Sequence, residues 1–323
     1  MSDLQLNERA MGVCDVLADQ SNELGVVVHT IAHARIIDAG AKVVGSLEAG
    51  CLTARACMAD LGVVQIVPME VEGIILPAVC VHVHRPVEAC MASQYAGWQI
   101  SEGKFFAMGS GPMRAARGKE ALFDDIGFRE TPRCVVGVLE TGRLPDDAVV
   151  QKIARSCGVP ADRITLVVAR TASLAGGVQV VARSVETAMH KLHELKFDLE
   201  CVVGGFGVAP VPPVAQDDMA AIGRTNDAML YGARCTLFVR GDDDEIAKVG
   251  EQLPSCASKD YGAPFAEIFK QYDHDFYKID PMLFSPAAVC LQNITSGKSH
   301  IVGKISQPIL ARSFFGVARA SRP

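Results

Sequence analysis

The segment ITLVVARTASLAGGVQVVARSVETAMHKLHEL, residues 164–195, decides how the chain is read. Its first six residues are mostly apolar and rich in β-branched side chains, and they predict a strand. The next stretch, Thr171-Ala172-Ser173-Leu174-Ala175-Gly176-Gly177, sets hydroxyl groups beside glycines. Glycine lets a ligand approach the backbone closely, so this stretch predicts a ligand-accessible loop. From 177 to 195 the pattern is helical. Val178, Val181, Val185, Ala188, Leu192 and Leu195 step by three and four and form one apolar stripe. Gln179, Arg183, Glu186 and His190 form a second stripe nearly opposite. The pattern allows two readings of this polar stripe: the wet face of an ordinary amphipathic helix, or a polar floor beneath a second layer. Arg183 precedes Glu186, whereas a helix gains most from an ion pair when the acid comes first. Helix stability therefore gains little from this arrangement.

Outward from this segment, helical patterns occupy 3–20, 46–61, 86–98, 146–157 and 215–230, and a hairpin of β-branched residues spans 25–38. Further strand runs lie at 63–67, 74–76, 79–83, 134–139, 201–208 and 235–239. Adjacent strands early and alternation later predict an α+β (mixed α/β) chain rather than a repeated βαβ wheel. The 323 residues suffice for two domains, with a boundary expected near 123–133.

Composition narrows the function classes. A net charge of −6 with 6% aromatic residues leaves no broad basic stripe for nucleic acid. The local cluster Arg114, Arg117 and Lys119 reads as a solvated helix face or as a small anion site. No window approaches the roughly 18 apolar residues of a membrane span. The start of the chain has no basic-then-apolar signal pattern. Eleven cysteines include no C-x-x-C pair and most lie in apolar runs, where they act as small hydrophobes. An odd count without a signal peptide points to the cytoplasm.

Two further glycine-rich stretches, Met108-Gly109-Ser110-Gly111-Pro112 and Gly204-Gly205-Phe206-Gly207, each follow a strand-like run. Neither completes a dinucleotide or nucleotide fingerprint: the third glycine position after Gly109 and Gly111 is Arg114. That incomplete loop is the one hint of an oxidoreductase. His82 with His84, and His190 with His193, could each begin a metal site, but no third ligand stands at a recognisable spacing. No metal is expected.

Several of these segments together resemble the methenyltetrahydromethanopterin cyclohydrolase family. The resemblance is carried by Thr171 to Glu186, continuing to His190-Lys191-Leu192, and by Asp38-Ala39-Gly40-Ala41-Lys42-Val43-Val44-Gly45-Ser46 with Glu48-Ala49-Gly50. Also alike are Gly109-Ser110-Gly111-Pro112 with Arg114-Ala115, Lys259-Asp260-Tyr261-Gly262-Ala263-Pro264-Phe265, and Asp275 to Pro281 with Phe284-Ser285-Pro286-Ala287. The resemblance implies two α/β domains with a substrate pocket between them, a homotrimer, and no cofactor. It implies reversible hydrolysis of a 5,10-methenyl pterin cation to its 5-formyl form, in the one-carbon metabolism of methanogenesis or methylotrophy. The family's catalytic arginine and glutamate fall on Arg183 and Glu186. Glu186 would take a proton from water, and Arg183 would hold its carboxylate in place. Gly109, Ser110, Gly111, Thr171, Ser173 and Gln179 are the candidate substrate-binding residues, and Arg114 or Lys119 could meet an acidic substrate tail. A non-catalytic pterin-binding protein of the same fold is the alternative.

Overall fold

The computed structural model describes residues 4–273 and 275–316. Its strands are β1 (Val27–Ile31), β2 (Ala34–Gly40), β3 (Gly62–Val71), β4 (Ile74–Val83), β5 (Trp98–Glu102), β6 (Phe105–Ser110), β7 (Val135–Glu140), β8 (Ile164–Ala169), β9 (Val202–Pro210), β10 (Arg234–Val239), β11 (Ala288–Asn293) and β12 (Ser299–Gly303). The α-helices are α1 (Leu6–Asp19), α2 (Ser21–Leu24), α3 (Leu47–Cys57), α4 (Met113–Arg117), α5 (Leu122–Asp125), α6 (Asp147–Cys157), α7 (Leu174–Val181), α8 (Ser184–Glu194), α9 (Asp218–Asp227), α10 (Asp243–Gly250), α11 (Phe265–Gln271) and α12 (Gln307–Phe315). Two compact units result. The first comprises Met1–Val64 and Val87–Val180, the second Gln65–Pro86 and Val181–Pro323. The segment 123–133 falls inside the first unit. Each unit holds one mixed sheet with helices, the α+β class read from the sequence. No helix among the described residues is long and apolar enough to cross a membrane.

The first unit's sheet has the order β1-β2-β8-β7-β6-β5. Its central strands β2, β8 and β7 are parallel, while β1 on one side and β6 and β5 on the other run antiparallel to their neighbours. Alternate residues of the central strands feed two cores. Ile36, Leu139, Leu166 and Val168 pack with Val149, Val150 and Ile153 of α6. Ile37, Val136, Val138 and Val167 pack with Ala10, Val13 and Leu17 of α1 and Leu52 of α3. Burial on both faces is why these strands read as continuous apolar runs rather than as alternation. Helix α6 starts where the Asp146 side chain accepts from the Val149 amide at 3.0 Å.

The β5–β6 hairpin was not anticipated. Its signal was the alternation Trp98, Ile100 and Phe105, Ala107, buried in turn, around Gly103 at φ +54°. Residues 87–94 form a π-helix rather than the α-helical turn expected over 86–98.

At the start of α1 the Asn7 amide side chain donates to Glu130 Oε2 at 2.7 Å and to the Pro112 carbonyl at 3.1 Å. Burial pushes the Glu130 carboxyl up to about 7, only partly offset by the Asn7 bonds. A carboxyl raised in the folded state favours folding while it is protonated. That contribution is whole below the unfolded value near 4.5 and disappears as pH rises through about 7. A Glu130→Gln protein is therefore expected to be more stable than the parent by about 1 kcal/mol at pH 8, after discounting for partial exposure, and to match it at pH 4.5. Urea unfolding at the two pH values checks this; an equal difference at both would exclude titration of Glu130 as the cause.

The second unit's sheet has the order β12-β11-β10-β9-β4-β3. Strands β10 and β11 are parallel, and β9 runs antiparallel to both β10 and β4. Gly204-Gly205-Phe206-Gly207, which the sequence offered both as part of a strand run over 201–208 and as a glycine-rich ligand stretch, is the middle of β9. A Cβ on Gly205 would come within 2.5 Å of Val185 Cγ1, and one on Gly207 within 2.2 Å of Ser184 Oγ. These glycines are where the first turn of α8 lies against the strand. On the opposite face one row runs across five strands: Ile301, Cys290, Thr236, Phe206 and His82. Ile301 is 78% and Phe206 41% exposed in that row.

Candidate active site

The single helix expected over 177–195 is two helices. α7 ends at Val181 and α8 begins at Ser184, with Arg183 as the residue capping α8 at φ −91°, ψ 14°. No glycine or proline marks the break. The apolar stripe survives it, since Val178, Val181, Val185, Ala188 and Leu192 are all buried. Three of the four residues in the polar stripe are buried as well: Gln179 is 1%, Glu186 4% and Arg183 7% exposed, while His190 is half-buried. Those values remove the wet-face reading. A guanidinium and a carboxylate are kept out of water only when they are paired or bonded.

Glu186 sits in the first turn of α8, where backbone amides without helical partners favour an anionic side chain. Its Oε2 lies 3.9 Å from Arg183 Nη1. That is an ion pair at the edge of contact, close enough to bias the carboxylate's orientation without a direct hydrogen bond between the two groups. Both residues lie in the second unit, and Gln179 lies on α7 just before the chain leaves the first. The arrangement can hold a carboxylate ready to accept a proton in a setting from which bulk water is excluded.

The first unit builds a polar edge of its own. The parallel strands β2, β7 and β8 end at Gly40, Glu140 and Ala169, and open α/β sheets bind ligands at the carboxyl ends of such strands. The loop 170–173 crosses this edge. Ser173 Oγ donates to the Arg170 carbonyl at 2.7 Å and accepts from the Gly176 amide at 3.0 Å, so it caps the start of α7. Gly40 lies beneath it: a Cβ there would sit 2.4 Å from Ser173 Oγ. Gly50 likewise admits Val178, at 2.5 Å from its ideal Cβ. Two stretches far apart in sequence, 38–50 and 171–179, are thus pressed together. Thr171 donates its hydroxyl to Glu140, a carboxylate that the sequence reading passed over. Its signal would have been an acidic residue closing a buried strand run.

Gly109, Ser110 and Gly111 stand elsewhere in the first unit. β6 runs antiparallel to β7, so Ser110 pairs with Val138 while Met108 pairs with Glu140. The glycine stretch therefore points away from the edge that carries Thr171 and Ser173. Ser110 Oγ faces Cys57 Sγ at 3.2 Å and the Val138 carbonyl at 3.5 Å inside the core. Gly109 leaves room for Met113, whose Cε would be 2.7 Å from a Cβ.

Arg114 is fully buried, which rules it out both as a solvated helix residue and as a contact for a substrate tail. Its guanidinium is engaged by Glu120, by the Met91 carbonyl at 2.9 Å and by the rings of Tyr95 and Phe123. Lys119 is exposed. The His82 and His84 rings meet edge to face at 5.5 Å, and His190 pairs with Glu194 at 3.8 Å. Among the described residues no three histidine, cysteine or acidic side chains gather as a metal site.

Each of the two mixed sheets carries buried polar residues at a helix start, Thr171 and Ser173 before α7 and Arg183 and Glu186 at α8. The family model described as "Cyclohydrolase (MCH)" matches residues 5–314, and the chain belongs to that family. It is 49% identical over 290 residues to the methenyltetrahydromethanopterin cyclohydrolase of Rhodopirellula baltica, covering 88% of this chain and 87% of the relative. The protein of that name from Methylobacillus flagellatus is 47% identical over 92% of this chain and 91% of its own length. The one from Methanosarcina barkeri is 39% identical over 96% and 98%.

Proposed function

We propose that the chain catalyses the reversible hydrolysis of 5,10-methenyl-tetrahydromethanopterin to the 5-formyl form, with Glu186 as general base and Arg183 holding it. The observation that carries this reading is the joint burial of Arg183 and Glu186 at the start of α8. Family membership and the names of the relatives support the substrate class.

The methenyl carbon lies between nitrogens 5 and 10, which share a positive charge, so it is electrophilic before any catalyst acts. Water oxygen bonds to that carbon while Glu186 takes one water proton. The hydroxyl on the carbon then gives up its proton as the C=O forms, the bond to nitrogen 10 breaks, nitrogen 10 keeps the electron pair and takes up a proton, and the formyl group stays on nitrogen 5. One proton is released overall. Attraction between Glu186 and the cation exists in the ground state too and cannot alone speed the step. Holding water on line toward the carbon is the larger contribution. Arg183 makes the carboxylate less basic, but the substrate cation supplies much of the driving force.

Among the proposed contacts Thr171, Ser173 and Gln179, support is strongest for Thr171, at a strand edge suited to ligands; Ser173 also caps α7 and Gln179 is 1% exposed. Gly109, Ser110 and Gly111 have the weaker support, given the inward-facing hydroxyl of Ser110. The reaction needs no cofactor in this proposal. The proposed compartment is the reducing cytoplasm, which an odd count of eleven cysteines suits. The open row through Phe206 and Ile301 supports self-association, and the proposed assembly is a homotrimer; a sedimentation mass of one chain would remove it.

The test is to mix the purified protein with methenyl-tetrahydromethanopterin, without added cofactor, and follow the chromophore. Loss of absorbance at an enzyme-dependent rate is expected. Tight binding without loss would favour the non-catalytic pterin-binding alternative, and a requirement for a nicotinamide would favour an oxidoreductase.

A further inference from the structure

The mechanism above leaves one carboxylate at the strand edge of the first unit unused. Glu140 is the last residue of β7, set between Ala169 of β8 and Met108 of β6. It is half-buried, and the buried Thr171 hydroxyl donates to its Oε1. Oε2 has no such donor, and no cation pairs with Glu140, among the described residues. Two other polar groups at this edge make local bonds. Asp38 is fully buried and accepts from the amides of Gly40, Ala41 and Lys42. Ser173 caps α7. Glu140 is thus held in orientation by a neutral donor while keeping acceptor capacity on both oxygens, since a carboxylate oxygen can take more than one hydrogen bond.

A carboxylate with no cation of its own complements a ligand that offers two neighbouring N–H groups in one plane. The aminopyrimidinone ring of a pterin presents that pair, the 2-amino group and the ring N–H beside it. We propose that Glu140 recognises this edge of the substrate, with Thr171 as its positioning residue. The inference rests on the pterin reading above and names the part of the substrate that this edge reads.

Pterin and lumazine separate the chemistry, because lumazine carries a carbonyl where pterin carries the 2-amino group. That carbonyl would face the carboxylate with an acceptor. The parent protein is expected to bind pterin at least about 10-fold more tightly than lumazine, since a site built for a donor rejects the analogue lacking it. In Glu140→Gln the amide offers one donor and one acceptor, which suits lumazine, so the preference should vanish or reverse. For the methenyl substrate this variant should raise KM more than it lowers kcat. Thr171→Val keeps the carboxylate but frees it, and should erode the preference by about 3-fold or more. Equal binding of the two ligands by the parent protein would overturn the assignment. So would an undiminished preference in Glu140→Gln, or in Thr171→Val should the first variant not fold. Failure of the parent to turn over methenyl substrate, with the pterin preference intact, would refute the hydrolase reading alone. Turnover with no preference would refute the role of Glu140 alone.

Discussion

Glu186→Gln is expected to lower kcat for methenyl hydrolysis by about 10²- to 10⁴-fold, the range for loss of a positioned general base. The amide matches the carboxylate in shape and can still orient water, but it cannot take the proton. KM should change little, because the lost interaction belongs to the transition state. Glu186 is 4% exposed, so bulk water has poor access to replace it as proton acceptor. Saturation kinetics on protein shown to be folded by its near-ultraviolet dichroism provide the check. Turnover close to the parent rate would mean that Glu186 is not the base.

The second large effect is expected at Arg183. Arg183→Ala should cost about 10²-fold or more in kcat, comparable to removing one preorganised electrostatic group from a site, with a smaller rise in KM. The guanidinium lies 3.9 Å from Glu186 Oε2 and is itself buried, so its removal takes a nearby positive charge away from a buried carboxylate. Breaking a buried pair in that way typically destabilises by about 3–5 kcal/mol. Turnover must therefore be expressed per folded molecule, with denaturant unfolding run in parallel. A variant with near-parent kcat and a greatly raised KM would recast Arg183 as a substrate-binding residue.

Much of the first unit was legible along the chain. The runs that became β7 and β8 are buried on both faces, so the residues ahead of Glu140 in β7 and those of β8 had to be small or apolar. Helix α6 carried its own start signal in Asp146. The hairpin β5–β6 was legible too, through the alternation on either side of Gly103. The glycines of β9 misled for a physical reason. Glycine marks a close approach of the backbone to something, and the sequence cannot say whether that partner is a ligand or, as with Ser184 and Val185, a helix.

The candidate site divides in the same way. The local pattern set Arg183 and Glu186 three residues apart and opposite an apolar stripe that is in fact buried. Nothing local announced the break at Ala182–Arg183, since no residue there is a helix breaker. Nor could the pattern choose between a wet face and a covered one, and an amphipathic wheel looks the same in both cases. Burial of most of the second stripe, the approach of 38–50 to 171–179 and the bond from Thr171 to Glu140 all join residues distant in sequence. What the sequence determined by itself was the set of elements and the spacing of the Arg–Glu pair, because both depend on local periodicity. Which polar groups left water, and which carboxylate met the Thr171 hydroxyl, only the tertiary structure decided, because desolvation depends on what packs against a side chain from elsewhere in the chain.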